Sequence, residues 1–84
     1  MSEGSLKELY DACEGKFDIP LADTGNFTRE WVIAEALLAA HDVDNMLYVY
    51  KADGKYRLTT HCPEGWKTNG VARVYPGGRV EERK

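Results

Sequence analysis

Residues 46–61 leave this chain little freedom. Two runs, Met46 to Ala52 and Lys55 to His61, flank the pair Asp53-Gly54. Asp-Gly between alternating runs is a strong signal for a two-residue hairpin turn. Taken literally, the turn sets the register: Lys51 faces Tyr56, Val49 faces Leu58 and Leu47 faces Thr60. Strand side chains alternate between faces, so those residues share one side of the ribbon. Met46, Tyr48, Tyr50, Arg57, Thr59 and His61 share the other. The first side carries the aliphatic residues and is expected to meet a helix. A slip of one residue reverses the two faces.

A second hairpin follows. Cys62 to Gly70 has the composition of a loop, and Val71 to Tyr75 and Arg79 to Glu82 flank Pro76-Gly77-Gly78. These strands are short with charged outer ends, as at a sheet edge. The first half is helical instead. Ser5-Leu6-Lys7-Glu8 forms a capping box. Leu6, Leu9, Tyr10 and Cys13 then recur on one helical face, and Gly15 suits a C-terminal cap. Lys16 to Ile19 fits a short edge strand ended by Pro20.

The stronger helix spans about Phe27 to His41, with Asn26 or Thr28 as its cap. Phe27, Trp31, Ala34, Leu38 and His41 form one stripe, and Val32, Ile33, Ala36, Ala39 and Ala40 widen the apolar surface. A helix this apolar calls for cover on more than one side: the sheet on one, the first helix or a partner on the other. A homodimer is one way to provide it. The expected fold is therefore a two-layer α+β domain. Two N-terminal helices pack on one face of a C-terminal antiparallel sheet of three to four strands, made from two hairpins.

The chain has 84 residues, expected to form a single domain over 1–84. A domain of that size buries roughly 60–65% of its unfolded surface, so a shallow surface site fits it better than a deep cavity. No apolar run nears the roughly 20 residues of a membrane span. The acidic, polar start (Met1-Ser2-Glu3-Gly4) is unlike a signal peptide. A cytoplasmic location is expected, with Cys13 and Cys62 as free thiols.

Catalytic and metal-binding patterns are weak. His61 adjoins Cys62, but strand neighbours point to opposite faces, which argues against a thiol–imidazole dyad. Cys13, His41, His61 and Cys62 are zinc-ligand types without paired ligand spacing. Asp42-Val43-Asp44-Asn45 begins like a calcium loop but lacks its glycine and distant glutamate. There is no phosphate-binding glycine motif, and Glu81-Glu82 beside Arg83-Lys84 resembles a solvated end. The expectation is a protein that is not an enzyme and needs no cofactor or metal.

Binding surfaces are better supported. Residues 1–44 hold ten acids and three bases, a net −7; residues 45–84 hold eight bases and four acids, a net +4. Such asymmetry bears on partners, not on fold. Tyr48, Tyr50 and Arg57 on one ribbon face are interface residue types, and Trp66, in a glycine-flanked loop, is a candidate anchor. The acidic first half, with Glu8, Asp11, Glu14 and Asp18, can imitate a row of phosphates and occupy a basic groove. These features suggest a non-enzymatic interaction protein that binds, and inhibits or regulates, a larger protein or nucleoprotein complex. Viral and plasmid-encoded inhibitors of bacterial defence, anti-CRISPR proteins among them, share this size and charge, by analogy and without a motif match. The alternative is a small nucleic-acid-binding domain using a basic, aromatic sheet face that includes Lys51, Lys55, Arg57, Lys67, Arg73 and Arg79.

Overall fold

The computed structural model describes residues 16–83 together with Glu8, Asp11 and Ala12. Its elements in chain order are β1 (Asp18–Asp23), α1 (Arg29–Val43), β2 (Leu47–Ala52), β3 (Lys55–Thr59), α2 (Trp66–Asn69), β4 (Gly70–Val74) and β5 (Val80–Glu82). The strands form one antiparallel sheet in the order β1-β3-β2-β4-β5.

The central hairpin follows local rules. Asp53 and Gly54 both have positive φ, 56° and 73°, as a type I′ turn requires. Lys51 pairs with Tyr56 and Val49 with Leu58, in the expected register, and the ladder ends at Tyr48 opposite Thr59. α1 begins where Thr28 accepts a hydrogen bond from the Trp31 amide at 3.1 Å. It ends at Asp44, which is left-handed (φ 54°) and donates its amide to Ala40 and His41.

One side of α1 packs on β2 and β4. Val32, Ala36, Ala39, Ala40 and Val43 are buried there. They meet Leu47, Val49, Leu58, Ala72 and Val74, all at zero exposure. Arg29 fastens the start of α1 to the far end of the chain. Its Nη2 donates to the carbonyls of Val71 at 3.0 Å and Arg83 at 2.7 Å, and its Nε lies 3.4 Å from the Glu82 carboxylate.

Three expectations need correction. The sheet has five strands rather than three to four, because 18–23 is a full edge strand. Pro20 does not end it: an edge strand has a side where a missing N–H breaks no ladder bond, and the strand continues past a bulge between Pro20 and Ala22. The two N-terminal helices expected on one face of the sheet reduce, among the described residues, to one that packs on it. Among the described residues α1 is the one helix longer than a single turn. Glu8, Asp11 and Ala12 are helical, while the rest of the helix expected over 5–15 lies outside the described residues. The second described helix, α2, falls inside the segment expected to be loop. Gly65 accepts hydrogen bonds from the amides of Thr68 and Asn69 and closes a single turn there. No helix among the described residues is long and apolar enough to cross a membrane.

Candidate interaction surfaces

On the sheet face away from α1, cross-strand pairing aligns polar and aromatic side chains. One row runs across all five strands: Glu81, Arg73, Tyr48, Thr59 and Asp18. The next holds Tyr50, Arg57 and Pro20. Asp18 ties the two rows together. It accepts a hydrogen bond from the Tyr50 hydroxyl at 2.6 Å and from Arg57 Nε at 2.8 Å, and its carbonyl accepts from Arg57 Nη2 at 3.1 Å. Burial, then donation to the Asp18 carboxylate, pushes the Tyr50 hydroxyl above its ordinary pKa. The hydrogen bond to Asp18 also raises the Arg57 guanidinium.

A second knot sits on the β4–β5 edge. Glu81 accepts from the Tyr75 hydroxyl at 2.9 Å, lies 3.0 Å from Arg73 Nη2 and also pairs with Arg79. The hydroxyl first, then the two guanidinium charges, hold Glu81 below the usual carboxylate range. Trp66 does not protrude. It meets Tyr48 edge-on with ring centroids 5.0 Å apart, and the Arg83 guanidinium lies 5.2 Å from its ring centre. Gly70 makes this possible: a Cβ there would stand 2.6 Å from the Trp66 carbonyl oxygen and 2.8 Å from its ring.

The residues singled out from the sequence thus divide into groups. Asp18, Tyr50 and Arg57 come together, and Tyr48 and Trp66 form a second pair on the same face. Glu8 and Asp11 are exposed, and Glu14 lies outside the described residues. Asp18, expected in an acidic partner-binding segment, bonds within the chain to the Tyr/Arg face. Folding also joins the two charge halves, through Asp18–Arg57 and Asp23–Lys55, each at 2.8 Å, and Arg29–Glu82. Lys55, chiefly by its hydrogen bond, lowers the Asp23 pKa. Among the described residues no three His, Cys, Asp or Glu side chains are grouped as metal ligands. The His61 ring engages the Thr59 hydroxyl at 3.1 Å, while the Cys62 thiol reaches toward the Pro63 carbonyl.

A further surface was not singled out. Phe27, Trp31 and Leu38 are 42%, 39% and 66% exposed, and the two rings stack at 4.4 Å. The sequence marks this stripe as one needing cover, but not as the stripe left in water. The alanines at 36, 39 and 40 carry the missing signal. Small side chains let a helix approach a sheet closely, so the bulky stripe turns outward. Compared with known proteins, the chain matches no family, no curated protein and no solved structure.

Proposed function

We propose that this protein is a non-enzymatic binding module that attaches to a larger macromolecular complex and regulates or blocks it. The observation that carries this reading is the stacked Phe27–Trp31 pair with Leu38 on the outer side of α1. Burying a large apolar side chain is worth about 1.5–3 kcal/mol. α1 forgoes much of that gain for these three while placing alanines in the core. Exposed aromatic and aliphatic side chains in one strip are typical contact anchors.

The ion pairs count against nucleic acid as the partner. Arg57, Arg73, Arg79 and Lys55 each sit on a carboxylate, so phosphates would have to displace one.

Parallel affinity capture tests the reading. Wild type and Arg57→Ala should recover the same partner, and Leu38→Glu should lose it. Recovery that is indifferent to Leu38, or turnover of a small metabolite by the purified protein, contradicts it.

A further inference from the structure

α1 and β1 border a groove. It consists of two hollows of about 380 Å³ and 340 Å³, and Leu21 lines both. Leu21 is the residue left out of register by the β1 bulge. A bulge re-aims a side chain in this way, here into the floor between the hollows. Leu38 and Ala39 line the first hollow, and Pro20 and Phe27 the second. The groove thus has apolar residues in both hollows, set among Glu35, His41 and Asp42 in the first and Asp23 and Lys55 in the second, and Phe27 and Leu38 join it to the exposed strip along α1.

Its charge is one-sided. Lys55 borders the second hollow but is bonded to Asp23 at 2.8 Å. Glu35 borders the first with no partner among the described residues. Glu30 is exposed on the same helix. Asp42 also borders the first hollow, and neither Lys nor Arg lines it.

We infer that this groove receives a basic amphipathic peptide segment of a partner protein, apolar residues seated over Leu21 and Leu38 and Lys or Arg against Glu35. This rests on the binding-module reading and names the partner class for it. Opposite charge at the rim of an apolar groove speeds and orients docking, and helix-in-groove recognition uses such anchors. A second copy fits less well, because it would bring further Glu30 and Glu35 carboxylates against these. The three large exposed side chains also present only on the order of 300 Å², taking aromatic side-chain areas of about 150–250 Å². A standard interface needs about 800 Å² per partner.

The test is a titration of ¹⁵N-labelled full-length protein with two synthetic peptides of equal length, one built from Leu and Lys, the other with Glu in place of Lys. The Leu/Lys peptide should bind, shift the amides of Leu21, Glu35 and Leu38, and weaken as salt rises. Leu38→Ala should lower affinity about tenfold, and Glu35→Gln severalfold with a shallower salt dependence. Leu38 is 66% exposed, so its replacement leaves the fold intact, and the amide spectra verify this. The inference is overturned if the Leu/Glu peptide binds equally, if shifts gather on the Tyr48–Arg57 face, or if neither variant matters. It is also overturned if sedimentation shows a dimer closing over Leu38. A captured partner that depends on Leu38 but offers no basic amphipathic segment sinks this inference and leaves the binding-module reading standing.

Discussion

Asp18 has two obligations at once. Its carboxylate satisfies a buried tyrosine hydroxyl and holds one edge of a guanidinium. The two do not weigh equally. Tyr50 is 8% exposed, and a buried polar group left unpaired costs about 1–3 kcal/mol. The Arg57–Asp18 pair is about one-third exposed on each side, and such pairs contribute roughly 0–1 kcal/mol. Asp18→Ala should therefore destabilise by about 1–2 kcal/mol in urea denaturation. Tyr50→Phe removes the hydroxyl together with its need and should cost less. Equal losses from the two substitutions would contradict this account. None of this leaves a local trace in the chain. Asp18 lies 32 residues from Tyr50 and 39 from Arg57, so the sequence displays an acidic segment and an aromatic ribbon as separate surfaces. Only the β1–β3 pairing makes them one.

Elements were readable in proportion to how local their causes are. The β2–β3 register follows from two turn residues, and the start of α1 from one threonine. Helical periodicity separates the alanine side of α1 from the aromatic side but does not say which of the two apolar sides is left in water; that follows from the close approach to the sheet that the alanines allow. β1 reads as an edge strand, but its expected end at Pro20 comes too early: whether proline's missing N–H breaks a ladder bond depends on which way it faces in the whole sheet. α2 leaves no mark in the sequence, because one turn of helix needs only a few hydrogen bonds and no apolar pattern. Its junction with β4 makes a sharp prediction. Gly70→Ala places a methyl group against the Trp66 carbonyl and ring, and overpacking of that kind costs typically about 1–3 kcal/mol. Gly77→Ala meets nothing within 4 Å and should stay within about 0.5 kcal/mol of wild type. Thermal melts of the two variants separate them. A Gly70→Ala melt like that of wild type would mean Trp66 is not seated over β4.

At the scale of the molecule the charge imbalance becomes a pH profile. Asp23 and Glu81 are held below the usual carboxylate range. A carboxyl lowered by folding contributes stability that is whole above its unfolded pKa, about 4, and is lost as pH falls through the folded value. Tyr50 and Tyr75 are raised. Their contribution is whole below the unfolded pKa, about 10, and is lost as pH rises through the folded value. These four groups thus give a plateau between roughly pH 5 and 9 with a fall at each end. One substitution touches both limbs. Glu81 is lowered chiefly by the Tyr75 hydroxyl, and Tyr75 is raised chiefly by Glu81. Glu81→Gln should flatten part of the acid limb and part of the alkaline limb together. Asp23→Asn should alter the acid limb alone, since its main partner is Lys55. Urea midpoints measured from pH 3 to 11 for the three proteins decide the matter. If Glu81→Gln changes only the acid side, the Tyr75–Glu81 bond does not persist in solution, and Glu81 acts on the β4–β5 edge through its guanidinium pairs alone.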